Sequence, residues 1–242
     1  TLGQCYSQIS KPKKAIQNIK RAIHIRREQG HSIELANGLG NLAIAHKKLG
    51  DYAKAIDLMQ EMIKILKENG IKHQLGNSIM TYANLLYYIG YEDKAYNYYL
   101  EALEACKLFN SLNSIGMIYR HLGLLELNKN NASKAIEYLM KANKIHREAK
   151  HQIAIELTTT FLAQAYAQNK DFENAAKYID QAVTLTNRRK HDDTTNSYSE
   201  YYTLPSRCVK ALITASTESN NQDELDSLFN EIITLHQGKP IG

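Results

Sequence analysis

Asparagine supplies the clearest pattern of side chains able to do chemistry in this chain of 242 residues. Asn37 and Asn41 lie four residues apart, and Asn77, Thr81 and Asn84 follow the same helical spacing further along. An asparagine amide carries a donor and an acceptor, so it can pair with both polar groups of an extended peptide backbone. The chemistry predicted from these residues is recognition of a main chain.

Motifs of catalysis and metal binding are absent from the sequence. It has no glycine-rich phosphate loop, no His-Glu-x-x-His, no Gly-x-Ser-x-Gly and no paired-cysteine spacing. His146 and His151 are interpreted as a surface pair, and His46 as a core residue. The run 188–190, Arg-Arg-Lys, is either a targeting signal or a set of cations favoured at a helix C-terminus. We therefore predict a protein that is not an enzyme, with no catalytic residue, no metal site and no cofactor.

The elements that position the asparagines follow from an internal repeat. Five alanines recur at a spacing of 40 residues within similar helical patterns: Ala15, Ala55, Ala95, Ala135 and Ala175. Within 34–66, apolar residues recur three and four apart on both sides of Gly50-Asp51. Glycine can end one helix there, and aspartate can cap the next. The sequence predicts an all-α fold of antiparallel helix pairs, each of which must stack on its neighbours to hide its apolar stripe.

The second repeat resembles the tetratricopeptide repeat. Its residues at that family's spacing are Leu42, Ala43, His46, Gly50, Tyr52, Ala55, Met59 and Met62. The resemblance implies a right-handed superhelical solenoid with a concave groove. The period is longer than the family's usual value of about 34 residues. This longer form is similar to the repeats of spindle-orienting G-protein regulators, kinesin light chains and bacterial regulators that bind peptide pheromones, which implies a groove that holds a peptide or protein segment.

The predicted organisation has three parts. Residues 1–190 form five helix pairs, the first of them truncated at its N-terminus, because Leu2, Gly3 and Tyr6 already occupy mid-helix positions. Residues 191–204 form a polar insertion, and residues 205–242 an atypical helix pair that caps the stack. The truncated start predicts that the chain is a fragment or processed form of a longer protein.

The resemblance also implies which residues face the groove, because the first helix of each pair lines the inner surface in this family. By register these are Asn37, Asn41, Lys47, Asn77, Thr81, Asn84, Tyr87, Arg120, His121 and Gln164. Arg120 would add a charge-assisted contact to a carboxylate. The chaperone-tail clamp of some family members is not expected, since Asn77 and Thr81 stand where that clamp needs cations. An alternative is that Asn41 and Asn84 merely satisfy neighbouring helix ends.

Composition limits the class of partner. The net charge is +5, which favours an acidic ligand over a basic one but is too even for a nucleic-acid partner. No run of 18 apolar residues is present, so no membrane insertion is expected. Cys5, Cys106 and Cys208 are isolated and odd in number, which favours a reducing, cytoplasmic location.

These observations support two functional hypotheses. The first is a protein-interaction module or scaffold that binds a peptide or a segment of a partner protein in its groove. The alternative is a ligand-sensing regulatory domain, in which a bound peptide changes the state of an attached signalling or transcription domain. An enzyme or a nucleic-acid binder would need convergent titratable residues or a clustered basic face, and the helical register shows neither.

Overall fold

The computed structural model describes residues 12–192, with side chains described for 16–186. Within this range every regular element is an α-helix. The described helices in chain order are α1 (Pro12–Glu28), α2 (Ser32–Lys48), α3 (Tyr52–Glu68), α4 (Lys72–Tyr88), α5 (Glu92–Lys107), α6 (Leu112–Asn128), α7 (Ala132–Glu148), α8 (Gln152–Gln168) and α9 (Phe172–Asp192). The prediction of an all-α fold built from helix pairs is confirmed for these residues.

The turns between helices share one backbone conformation. A residue with positive φ recurs every 20 residues, from Gly30 (φ 70°) to Lys170 (φ 61°). Glycine adopts this left-handed conformation without steric cost, and it occupies the first four of these positions. In the turn after α2, the amide of Asp51 bonds to the carbonyl of His46, and the Asp51 side chain accepts a bond from the amide of Lys54. The predicted stop and cap at Gly50-Asp51 are therefore confirmed.

The chain divides into two compact units, residues 1–118 and 119–242, with the boundary inside α6. In the first unit, α1 packs on α2, α2 on α3, α3 on α4 and α4 on α5. Ala43 on α2 and Ala55 on α3 are fully buried, as is Ala95 one repeat after Ala55. A Cβ added to Gly76 would lie 2.6 Å from Sγ of Cys106, so α4 and α5 approach closely only because that side chain is missing.

The second unit repeats this construction. Its core contains Ala135, Leu139 and Leu162, and a further cluster joins Ala163, Ala175, Ile179 and Ala182. A Cβ on Gly123 would lie 2.6 Å from Cγ of Leu139, so the glycine lets α6 cross α7 closely. The small residues of the repeat thus act at the closest helix contacts in both units.

Parts of the predicted organisation lie outside the described residues. These are the truncated first helix, residues 193–204 of the polar insertion and the capping pair at 205–242. The last described helix, α9, includes His191 and Asp192, the first two residues of the predicted insertion.

Candidate functional site

A cleft of about 250 Å³ opens in the first unit between helices α2, α3 and α4. Four of the residues predicted to face the groove line this cleft: Asn37, Asn41, Asn77 and Thr81. The other lining residues are Gly40, Ile44, Met59, Met62, Gln74 and Ser78. Helices α2 and α4 supply the polar side chains of the cleft, and α3 supplies its two methionines.

The α3 side of the cleft is apolar. Met59 and Met62 are buried in the core and still line the cleft, where they supply thioether and methylene surface. Gly40 lies opposite Met62 on α2, and a Cβ built on Gly40 would come within 3.0 Å of the Met62 sulfur. Met62 thus lies against Gly40, and a side chain at position 40 would require the Met62 side chain to shift by a few tenths of an ångström.

The polar side chains around the cleft keep much of their hydrogen-bonding capacity. Asn37 is exposed and Asn41 half-buried, and neither amide has a hydrogen-bond partner in the described part of the chain. Asn77 uses only its carbonyl groups: Oδ1 accepts a bond from Oγ of Ser114, and its backbone oxygen accepts one of 2.8 Å from Thr81. The side-chain amides of Asn37, Asn41 and Asn77 can therefore donate hydrogen bonds to a ligand, and those of Asn37 and Asn41 can also accept them.

The remaining predicted residues of the first unit do not line this cleft. Nζ of Lys47 lies 4.6 Å from the ring centroid of Tyr88, in a cation–π contact. Asn84 accepts a hydrogen bond of 2.6 Å from the hydroxyl of Tyr99 on α5. Tyr87 is half-buried near the end of α4. The structure thus separates these three from the cleft residues and gives Asn84 a partner inside its own helix pair.

Three predicted residues belong to the second unit. Gln164 is exposed on α8, and Arg120 is half-buried on α6. Beside it, burial and then the charge of Arg120 lower the pKa of His121 from 6.5 to about 3, so its imidazole is neutral at physiological pH. Nδ1 of this ring is buried, and the residue as a whole is half-buried on α6.

Polar contacts join the end of a first helix to the turn or helix that follows it in two repeats. In the second repeat, Nδ1 of His46 lies 2.9 Å from Oδ2 of Asp51. The Lys54 amide and then His46 lower the pKa of the Asp51 carboxyl below its usual value. Two repeats later, the buried Glu126 contacts Lys134 at 3.1 Å and accepts a bond of 2.9 Å from Asn131. These pairs tie the end of one helix to the start of the next and have a structural role.

Sequence reasoning assigned Met59 and Met62 to the core and left out Gln74 and Ser78. A signal for Met62 was present: the second small position of the second helix is alanine in the other repeats, at Ala22, Ala102, Ala142 and Ala182. The same repeat has Gly40 on its first helix. The equivalent residues of the following repeats are Met80, Arg120 and Thr160. Exchange of a small for a large residue between facing helices moves free space from one side to the other.

The described residues show neither a metal-binding cluster nor a membrane-spanning helix. No group of three or more His, Cys, Asp or Glu side chains within this range could hold a metal ion. Among the helices described, none is long and apolar enough to cross a membrane.

Family comparisons agree with this architecture. One sequence model of the tetratricopeptide repeat matches residues 1–68, and a second matches residues 160–188. The sequence of these two segments is that of tetratricopeptide repeats. The matched segments include α1, α2 and α3 at one end of the described range and most of α9 at the other.

Other proteins resemble the chain over most of its length. The apo form of RapI has a TM-score of 0.79 and 18% identity, over 96% of this chain and 62% of RapI. A Rap protein complexed with Competence and Sporulation Factor has a TM-score of 0.68 and 15% identity, with coverage of 96% and 62%. RNA polymerase-associated protein CTR9 of Saccharomyces cerevisiae is 23% identical over 230 residues, which cover 79% of this chain and 21% of CTR9. The chain thus spans less than two thirds of each of these proteins, and the structural likenesses show a shared tetratricopeptide-repeat fold.

Proposed function

We propose that this chain is a non-catalytic interaction module that binds an extended segment of a peptide or partner protein in the cleft between α2, α3 and α4. The observation that carries the proposal is the pair Asn37 and Asn41, whose amides have no partner in the described chain and border an apolar surface. An extended main chain presents one donor and one acceptor per residue and matches such amides. The apolar surface of Met59 and Met62 adds contact area that neutral amides alone do not supply.

The structural relatives support a ligand-binding role of this kind. A Rap protein of the same fold is complexed with Competence and Sporulation Factor, so the fold can hold a ligand. A second candidate function follows from that likeness: the bound segment acts as a signal, and the chain passes its occupancy to an attached signalling or transcription domain. The isolated cysteines, including the buried free thiol of Cys106, favour a reducing compartment such as the cytoplasm for either role.

Selection from a random library of linear peptides tests the proposal directly. The full chain is used as bait, the enriched peptides are synthesised, and their affinities are measured for the original sequence and for the Asn37→Ala/Asn41→Ala double variant. Loss of two main-chain hydrogen bonds is expected to weaken binding by roughly tenfold or more. The matched control is Asn97→Ala, which removes an exposed asparagine on α5, away from the cleft lining.

Melting curves of all three proteins separate binding from folding. We expect them to coincide, because the amides of Asn37 and Asn41 make no hydrogen bond in the described part of the chain. If enriched peptides bind the double variant as tightly as the original chain, the cleft is not the binding surface and the proposal fails. To distinguish the sensor role, the same peptide is added to the full-length protein, and the activity of any attached domain is measured.

A further inference from the structure

We infer that the cleft selects an uncharged, apolar side chain of leucine or methionine size in the bound segment, with Gly40 and Met62 as the residues that set this specificity. The inference rests on the proposed function and names the ligand chemistry of the same site. Charge, volume and comparison between the repeats of this chain support it separately.

Charge is the first argument. The lining consists of four side-chain amides (Asn37, Asn41, Gln74 and Asn77), two hydroxyls, one glycine and three apolar side chains. It includes no Asp, Glu, Lys, Arg or His. A charged side chain in such a site loses part of its hydration and gains no opposite charge, which is unfavourable. In this proposal the amides pair with the polar main chain of the segment, and its apolar side chain packs on Ile44 and on the small exposed parts of Met59 and Met62. The net charge of +5 for the whole chain therefore does not describe the preference of this cleft.

Volume is the second argument. Sites for drug-sized molecules usually enclose about 300–1,000 Å³. The cleft, at about 250 Å³, is slightly smaller and suits one side chain with its adjoining main chain. Methionine side chains adapt to irregular apolar shapes because they are unbranched and polarisable. Met59 and Met62 can therefore adapt their shape to an apolar side chain of leucine or methionine size.

The third argument compares equivalent positions of the repeats. Gly40 and Met62 form one pair, and the corresponding pairs are Met80 with Ala102, Arg120 with Ala142, and Thr160 with Ala182. Only the second repeat combines a missing side chain on the first helix with a long apolar one on the second. In the other repeats the larger residue stands on the first helix and alanine on the second, so the arrangement is reversed. Among these four repeats, the combination of Gly40 and Met62 occurs in the second, whose two helices border the cleft.

Degenerate linear peptides with one fixed central residue test this inference. Four pools fix Leu, Met, Asp or Lys, and binding is measured by fluorescence anisotropy against the full chain and the Asn37→Ala/Asn41→Ala variant. The Leu and Met pools are expected to bind roughly tenfold to a hundredfold more tightly than the Asp and Lys pools. All four pools should lose affinity for the double variant, because the two amides that it lacks bind the main chain and not the fixed side chain.

Two substitutions in the cleft test the specificity residues. Gly40→Ala places a methyl group about 3.0 Å from the Met62 sulfur. The affinity of the Leu and Met pools should fall severalfold. Helix α2 should remain folded, because alanine favours the helix. Ser78→Asp adds a carboxylate to the lining and should shift the preference to the Lys pool. Ser78→Ala is the matched control and should retain the preference for Leu and Met.

The outcomes distinguish the two proposals. Binding that depends on Asn37 and Asn41 but is equal for the Leu, Asp and Lys pools would overturn the specificity while the proposed function survives. An unchanged preference in both Gly40→Ala and Ser78→Asp would also overturn it. Binding of any pool that is independent of Asn37 and Asn41 would overturn the proposed function and the inference together.

Discussion

The hydroxyl group of Tyr99 donates a hydrogen bond of 2.6 Å to Oδ1 of Asn84. Tyr99 is fully buried on α5, and Asn84 is half-buried on α4 of the same helix pair. The contact gives Asn84 a part in the packing of α4 against α5. By contrast, Asn37 and Asn41 line the cleft and make no hydrogen bond within the described range. Two asparagines of similar helical register, Asn41 and Asn84, therefore have different roles.

We expect Asn84→Ala to lower the free energy of unfolding by about 1–3 kcal/mol, because it removes an acceptor of a buried hydroxyl. Asn41→Ala should change it by no more than about 0.5 kcal/mol. Urea denaturation of both variants measures the difference. In the double variant Asn84→Ala/Tyr99→Phe, the two losses should be less than additive, since the single changes break the same bond. Strict additivity would contradict the contact.

Ala95 is fully buried where α5 begins its contact with α4. We expect Ala95→Leu to destabilise the protein by about 1–3 kcal/mol, because the larger side chain must separate closely packed helices. Ala53→Leu is the matched control, since Ala53 is exposed on α3, and its effect should stay within about 0.5 kcal/mol. Thermal unfolding of the two variants compares them. Equal melting temperatures would mean that Ala95 is not at a close contact.

The helix bounds could be predicted closely because their signals are local. Gly50 and Asp51 end one helix and cap the next through contacts within five residues, and a turn with positive φ recurs every 20 residues from Gly30 to Lys170. Burial of Ala55 and Ala95 follows from the same period. Register also placed Asn37 and Asn41 on the face that borders the cleft, since a helix fixes the direction of its side chains.

The rest of the site depends on contacts between helices that spacing does not specify. Asn84 meets Tyr99 only after α4 and α5 have packed, so its register alone indicated a groove position. Met59 and Met62 are both core and cleft residues, and a periodic pattern assigns them to the core alone. The neutral ring of His121 likewise reflects burial from more than one direction. Such properties require the three-dimensional neighbours of a side chain.

Glu126 is 4% exposed, and Nζ of Lys134 lies 3.1 Å from its Oε1. We expect Lys134→Met to cost about 1–3 kcal/mol, because the buried carboxylate loses its cationic partner. The matched control is Lys94→Met one repeat earlier, where the position of Glu126 is taken by the uncharged Leu86. That change should stay within about 0.5 kcal/mol. Chemical denaturation at neutral pH compares the two, and equal effects would show that the ion pair contributes no stability.

The His121 side chain predicts a dependence of stability on pH. Burial, with a smaller effect of the Arg120 charge, lowers its pKa from 6.5 to about 3, so the unfolded chain binds a proton between these values that the folded chain does not. Protons therefore favour the unfolded state, and stability falls as the pH drops below 6.5.

The size of this effect follows from the two pKa values of His121. At pH 5 the loss is about 2 kcal/mol relative to pH 8. In the His121→Phe variant, the difference in unfolding free energy between pH 8 and pH 5 should shrink by about this amount, because the phenyl ring has no proton to bind. Denaturation of both proteins at the two pH values measures it. An NMR titration supplies the direct check: a His121 ring signal that shifts between pH 7 and pH 6 would contradict the lowered pKa, whereas a constant signal down to pH 5 would confirm it.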